Sequence, residues 1–449
     1  MLSSMLGFYQ HLTVHIVPGP NSISYFVAIF LLPTALLIPA STLSRWRLCS
    51  LFLPSIYACL IHAWVKMGGI DVISINVALW SLVLLACQDP RRTFRRVHVG
   101  KIEPRPGDVR ISKNRMNIVW EEPYPSQRYQ RIPWVLTLLV SSRLTNWKTG
   151  ETCHDRTQPP DKLSRTAFLR YAISHILQRY LILDTTSSYV QTDPYFFHSG
   201  MSVDAPFPST ASPIPTALTP LRLLPPRLIR ASVLGGQIYA MVTLMFLIPA
   251  LPAIALNALN LLSDEWSPHA WPLFFGPFSA IAERGLRGLW GTWWHQMNRH
   301  LVSTPGRSLA HAVGLSTSNL LGYCFLTTSA FFFSGVMHMG LVPPEPLNTS
   351  ISVTEMRLRI AAFFWGQIPA IGVELLVSKI LRHLAPSFSR SPLAKVATVM
   401  WVATWFALIL PILTVPFQEL GYWHVYPVPV SVVQGLFGRG WLTWPFFVT

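Results

Sequence analysis

The chain has 449 residues, of which 51% are hydrophobic and only 12% carry a formal charge. Length alone would suggest two or three soluble domains. Several uncharged runs exceed the roughly 18 residues that indicate a membrane span, which excludes a set of soluble domains. We therefore expect a single integral membrane unit over residues 1–449.

The formal net charge is +16, which in a soluble protein would raise the question of nucleic-acid binding. Here the basic residues lie mainly between hydrophobic runs, and the positive-inside bias of membrane proteins explains that placement. A phosphate-rich co-substrate is compatible with the same charge but is not indicated by it. The five cysteines lack metal-type spacing, so we expect neither a metal site nor disulfides.

The first part of the chain predicts three spans, which are Ser24–Thr42, Cys49–Val65 and Ile70–Cys87. The basic turn Asp89–Arg96 follows, and basic residues favour the cytosol. We therefore expect this turn and the polar loop of residues 88–165 in the cytosol, and the N-terminus in the lumen. The N-terminus lacks a basic region and a clear cleavage site, so the first span should act as its own targeting signal.

Residues 168–190 are ambiguous, because they make a poor lipid-facing helix but an acceptable interior one. The polar residues responsible are Arg170, His175, Arg179 and Asp184. Spanning is favoured, since it puts the later basic loops in the cytosol. The Arg222–Arg230 cluster then lies on the lumenal side, which is an objection.

The second half predicts a proline-rich loop over 191–228 and further spans. These are Ala231–Leu262, kinked or broken at Pro249 and Pro252, then Ser318–Val342, Ile360–Leu376, Val396–Phe417 and an imperfect span in 422–449. The predicted fold is an all-α, polytopic transmembrane bundle of about eight spans, within a range of about seven to ten.

Residues 264–307 form a polar module rich in Trp, His and Arg, expected in the cytosol. Its centre reads Leu289-Trp-Gly-Thr-Trp-Trp-His295. On a helix, His295 and Asn298 would share a face, and so would Trp290 and Trp294. Such a face could position a thioester carbonyl, or hold His338 in one tautomer. An interfacial aromatic belt is the alternative, and it explains the tryptophans but not the histidine and asparagine.

The span 318–342 carries His338 in a stretch without formal charge between Arg307 and Glu345. An imidazole in a membrane-length run is a functional-site candidate, and a neutral one suits a general base. Ser334, Gly335 and Gly340 are expected to leave room for a substrate beside the ring. The alternative is a structural histidine bonded to a neighbouring helix.

The pairing of these two segments resembles the wax-synthase-like branch of the membrane-bound O-acyltransferases. Plant members carry a Phe-Trp-Gly-x-x-Trp-Asn type motif followed by a histidine in a hydrophobic helix, and the fungal acetyltransferases of terpenoids and meroterpenoids are the most similar. His295 stands where the plant motif has Asn. Ser141–Trp147 weakly resembles an arginine–tryptophan element of fungal relatives, and a plain loop explains it equally well.

The resemblance implies an acetyltransferase of the endoplasmic reticulum membrane. Acetyl-CoA would be the co-substrate, with no bound cofactor, and a lipophilic terpenoid alcohol the acceptor. His338 and His295 are the predicted catalytic residues. The predicted substrate-binding residues are Trp290, Trp294, Asn298, Arg287 and Arg299. Arginine suits the phosphates of CoA, and a snorkelling interfacial helix explains the arginines equally well.

Two other functions remain open from the sequence. A long-chain wax-ester synthase would share the chemistry and differ in acyl length. A secondary transporter would use His338 in a proton or substrate path, although the paired broken helices typical of transporters are not visible. Asn348 begins an Asn-Thr-Ser sequon in a loop expected in the lumen, where it would be glycosylated.

Overall fold

The computed structural model describes residues 22–100, 109–114, 117–141, 143–149, 164–207, 223–262, 266–344 and 349–444. The predicted glycosylation site, Asn348, lies outside the described residues.

Helices dominate the described part of the chain. Those of ten or more residues are α1 Ile23–Leu37, α2 Arg45–Met67, α3 Val72–Ser81, α4 Arg128–Val140, α5 Arg165–Val190, α6 Pro226–Ala258, α7 Ser279–Gly288, α8 Arg299–Ala312, α9 Leu320–His338, α10 Val353–Trp365, α11 Gln367–Leu384 and α12 Pro392–Glu419. Turns of π-helix, Leu82–Cys87 and Leu289–Trp293, extend α3 and α7.

Five helical stretches in the described part are long and apolar enough to cross a membrane. They are Arg45–Met67, Pro226–Ala258, Leu320–Leu341, Val353–Leu384 and Pro392–Glu419. Ile23–Leu37 and Val72–Cys87 are shorter apolar helices. The chain is therefore an integral membrane protein, but the predicted count of about eight spans is not confirmed.

Two expectations for the later spans are corrected by the structure. Pro249 and Pro252 do not break their segment, because α6 runs continuously for 33 residues through both, while a kink at these prolines stays a prediction. Residues 422–444 do not form a span, since they fold into a 3-10 turn, Tyr422–His424, and a short helix, Val432–Leu436. Backbone pairing between Val430 and Leu442 folds this segment back on itself.

The 88–165 region contains an antiparallel sheet, which an all-α prediction does not include. Its strands are β1 Phe94–Gly100, β2 Val109–Asn114, β3 Asn117–Glu122 and β4 Trp147–Thr149, in the order β2-β3-β1-β4. Arg96 on β1 is opposite Glu122 on β3 and is only 8% exposed. A charged residue at this buried strand position hides the alternation of apolar and polar residues by which a strand is usually predicted.

Two large apolar cores hold the bundle together. One joins α1, α2 and α3 to α4 and β4 through Trp134 and Trp147. The other joins α6 and α7 to α10, α11 and α12. The candidate site lies against the second core.

The objection raised by the Arg222–Arg230 cluster is weakened at Arg230. This side chain is 1% exposed and bonds both carboxylate oxygens of Asp193 at 2.8 and 2.9 Å. A paired, buried arginine presents no positive charge to the lumen, so it does not count in the positive-inside comparison.

Candidate functional site

His338 is the last residue of α9, and its ring is held on two sides. Nδ1 lies 2.7 Å from the carbonyl oxygen of Ser334, and the ring stacks on Phe364 with centroids 4.0 Å apart. A carbonyl oxygen can only accept, so Nδ1 carries the proton. In the neutral ring Nε2 is then the basic nitrogen, and no described residue hydrogen-bonds to it.

The two glycines near His338 do not leave room for a substrate, so the expectation is wrong for Gly335 and Gly340. A Cβ on Gly335 would lie 2.4 Å from Trp365 Nε1, and one on Gly340 would lie 2.9 Å from the Asp71 carbonyl oxygen. These glycines instead let α9 pack closely against α10 and the start of α3, which fixes the end of α9 where His338 lies.

The polar module begins at a sharp turn that a buried carboxylate holds. Gly285 has φ 59° and ψ −134°, a left-handed conformation that favours glycine. Glu374 on α11 is 7% exposed, and it accepts from the Leu286 N–H at 2.7 Å and from Arg287 Nε at 3.2 Å. Arg287, predicted to bind substrate, thus already pairs with Glu374.

Trp290 lies inside the bundle rather than on an interfacial face. Its Nε1 donates to Gln367 Oε1 at 3.2 Å, and Trp405 Nε1 donates to the same oxygen at 3.1 Å. Its ring meets the Trp294 ring edge-on at 5.7 Å, as the four-residue spacing suggested. The position of Trp290 comes from three helices converging on one buried glutamine.

His295 and Asn298 do not share a helical face, contrary to the prediction. The π-turn ends at Trp293, Trp294 is extended, and α8 starts only at Arg299. The Gln296 side chain donates to the carbonyl oxygen of Trp290 at 3.2 Å and also bonds that of Trp294. These side-chain bonds replace the helical ones and allow the chain to change direction.

His295 lies among aromatic rings with an unsatisfied nitrogen. Its ring stacks on Phe274 at 5.2 Å and contacts Phe275 and Trp294. Its Nδ1 is buried and has no hydrogen-bond partner among the described residues. A buried, unpartnered imidazole nitrogen is available to a ligand.

Burial, together with smaller repulsions from His338 and Arg143, lowers the pKa of His295 to about 4. His295 is therefore neutral at neutral pH. A chain of ring contacts connects His295 to His338, although 43 positions separate them in the sequence. His295 contacts Trp294, Trp294 contacts Trp290, and Trp290 lies 6.2 Å from Phe364, on which His338 stacks.

The remaining predicted residues border the module. Arg299 is exposed, and its Nη1 lies 3.3 Å from Gln296 Oε1. Asn298 precedes α8 without capping it. Arg143, which lies between α4 and β4, donates to the Leu273 carbonyl oxygen at 2.9 Å. The weakly recognised Ser141–Trp147 segment thus reaches the module.

Sequence reasoning did not single out the residues that hold the site in place. Gln367 and Glu374 are a lone amide and a lone carboxylate in an otherwise apolar segment, and that contrast was the available signal. Phe364 gave no signal, because one more phenylalanine in an apolar helix is indistinguishable from a core residue.

The comparisons with known proteins match this region. The model of the membrane bound O-acyl transferase family matches residues 271–343, which include both histidines. Acetyltransferase eriL of Hericium erinaceus is 26% identical over 319 residues, covering 70% of this chain and 73% of that protein. Acetyltransferase nanB of Aspergillus nanangensis is 28% identical over 182 residues, covering 39% and 41% of the two chains. No solved structure matches the chain significantly.

Proposed function

We propose that this membrane acyltransferase moves an acetyl group from acetyl-CoA to a hydroxyl group of a lipophilic terpenoid or meroterpenoid alcohol. The predicted resemblance to the membrane-bound O-acyltransferases and the fungal acetyltransferases is confirmed by the family match and the similar relatives. The donor and the acceptor are our proposal.

The observation that carries the proposal is the bond from His338 Nδ1 to the Ser334 carbonyl oxygen. It leaves Nε2 of the neutral ring as a base. Nε2 removes the hydroxyl proton while the alcohol oxygen attacks the thioester carbonyl carbon. The C–O bond forms, the C–S bond breaks, and the imidazolium returns its proton to the CoA thiolate.

His295 supplies the second function that the reaction needs. The thioester oxygen gains negative charge as the alcohol attacks, and a hydrogen bond from a fixed donor stabilises it. A neutral imidazole can donate from one nitrogen, and the aromatic rings around His295 fix its orientation. The Asn at the corresponding place in the plant motif could donate in the same way.

The cationic rim of the module suits the phosphates of CoA. Arg299 is exposed and Arg143 lies beside Leu273, so both border the site. Arg287 has to share its charge with Glu374, which makes it the weaker candidate for phosphate binding. The donor would enter from the cytosolic side in the predicted orientation.

Transfer of label from acetyl-CoA tests the proposal. Membranes containing the wild-type protein should convert labelled acetyl-CoA and a panel of terpenoid alcohols to acetyl esters, and membranes with His338→Ala should not. Palmitoyl-CoA should be a poor donor, since the similar relatives are named acetyltransferases. Ester formation from palmitoyl-CoA alone would favour the wax-ester synthase. Alcohol uptake into vesicles with no ester would favour a transporter.

A further inference from the structure

Helix α5 carries a cation for which the proposed reaction has no use. Arg179 lies about 21 Å along α5 from its first residue. Leu177 and Leu181, close to it in sequence, are 59% and 49% exposed and apolar. Helix α5 is not among the five stretches apolar enough to span a membrane. Arg179 is nevertheless partly buried, and burying a charge is costly unless a group of opposite charge pairs with it.

The partners of Arg179 are all neutral. Nη2 donates to the Tyr239 hydroxyl at 2.7 Å and lies 3.2 Å from His175 Nδ1, while Nη1 donates to Gln178 at 3.2 Å. Nε is buried without a hydrogen-bond partner. Arg179 forms no ion pair with any carboxylate in the described part of the chain.

The contrast with Arg230 on the adjoining helix α6 is informative. There the buried guanidinium bonds both oxygens of Asp193 and two backbone carbonyl groups. The fold thus neutralises one buried arginine with its own carboxylate and leaves Arg179 without one. An unneutralised cation with a spare donor fits an anionic ligand.

Arg179 is connected to the candidate site through aromatic rings. Its Cζ lies 4.6 Å from the centre of the Tyr239 ring. That ring stacks on Trp293 at 5.5 Å and meets Phe275 at 4.5 Å. Phe275 and its neighbour Phe274 also border His295. The cation and His295 therefore lie along one continuous aromatic wall.

We propose that Arg179 binds a carboxylate on the acceptor, at the end of the molecule remote from the hydroxyl that is acetylated. The inference rests on the proposed function and names the substrate class, which is a lipophilic hydroxy acid. A singly charged carboxylate fits this aromatic surrounding better than a phosphate, because a larger charge costs more to take out of water.

A binding experiment tests the inference without requiring catalysis. Purified full-length protein in phosphatidylcholine nanodiscs is titrated at pH 8 with dodecanoate and with methyl dodecanoate, using calorimetry. Dodecanoate should bind wild type about 10- to 100-fold more tightly than Arg179→Met, since charge-assisted hydrogen bonds are worth about 1.5–3 kcal/mol. The methyl ester should bind both proteins equally.

Two controls separate recognition from folding. Arg170→Met removes an exposed cation from the same helix and should keep the affinity for dodecanoate. Arg179→Lys keeps the charge and should retain part of the preference for the acid. If Arg179→Met is unstable, the comparison of Arg179→Lys with wild type still decides, because a merely structural arginine would leave the acid-to-ester ratio unchanged.

Three results would overturn the inference. The first is an equal affinity of wild type for dodecanoate and its methyl ester. The second is the same loss of dodecanoate affinity in Arg170→Met as in the Arg179 variants. The third is displacement of dodecanoate by CoA, which would assign Arg179 to the phosphates of the donor. The His338→Ala protein should show the wild-type preference for the acid. If wild type prefers dodecanoate to the methyl ester but transfers no acetyl group, the proposed function is rejected and the carboxylate site is retained.

Discussion

At the scale of single residues, the bond from His338 Nδ1 to the Ser334 carbonyl oxygen fixes the tautomer that the proposed general base requires. His338→Ala should lower acetyl transfer by about 100- to 10,000-fold, the usual contribution of a general base. His338→Gln should fail nearly as badly, because an amide cannot accept the proton at a useful pKa. The rate is measured per mole of folded protein.

The exposed histidine at the end of α8 supplies the matched control for that experiment. His311→Ala should keep the wild-type rate. If His338→Gln keeps most of the wild-type rate, His338 only packs against Phe364 and another base has to be sought.

His295 gives a second prediction through its motif position. His295→Ala should lower activity while the protein still inserts in membranes, because the thioester oxygen loses a donor. His295→Asn should be milder, since an amide can donate from the same place. Equal harm from both variants, or none from either, would contradict the role given to His295.

The depressed pKa of His295 also predicts a dependence of stability on pH. The folded value of about 4 lies below the ordinary 6.5, so the unfolded chain binds the proton more readily. The contribution of His295 is constant above about pH 6.5 and is lost as the pH falls toward 4. The unfolding temperature of wild type should therefore drop more steeply over this window than that of His295→Asn, and parallel curves would contradict the prediction.

At the scale of elements, the turn at Gly285 decides where the polar module points. A Cβ there would lie 2.0 Å from Glu374 Oε2, and φ is 59°. Gly285→Ala should cost about 1–3 kcal/mol of stability and reduce activity. Gly372→Ala on α11 is the control, because nothing lies within 4 Å of its added Cβ. Thermal unfolding in detergent measures both, and equal unfolding temperatures would show that the turn adapts.

The sequence predicted the apolar helices but neither the sheet nor the turn after Trp293, and each outcome has a physical reason. The centres of α2, α9 and α12 follow from apolar length alone, because lipid imposes a minimum span. The sheet could not be predicted, since Arg96 is buried through a pairing 26 positions away. The direction of the chain after Trp293 depends on Gln296 bonding backbone carbonyls, and no periodicity signals that arrangement.

At the scale of the whole molecule, orientation in the membrane remains a prediction. Arg91 is 5% exposed and bonds Asp89, so a protease or a labelling reagent would not reach it. The side chain of the neighbouring Arg92 is 62% exposed, so this position is accessible to a reagent. In sealed microsomes an impermeant maleimide should label Arg92→Cys above the wild-type background, and should label Thr349→Cys only after detergent. The opposite pattern would reverse the orientation.

The C-terminal segment closes the bundle against a carboxylate far upstream. Asp184 on α5 is fully buried and accepts from Tyr426 at 2.7 Å, from Ser431 at 2.5 Å and from the Val433 N–H at 3.0 Å. Ser431 follows Asp184 by 247 positions. At about 5–20 residues per second, a ribosome needs about 10–50 seconds to make that stretch. During that interval the carboxylate of Asp184 lacks these three donors, so we expect α5 to reach its final packing only after residues 426–433 have been synthesised.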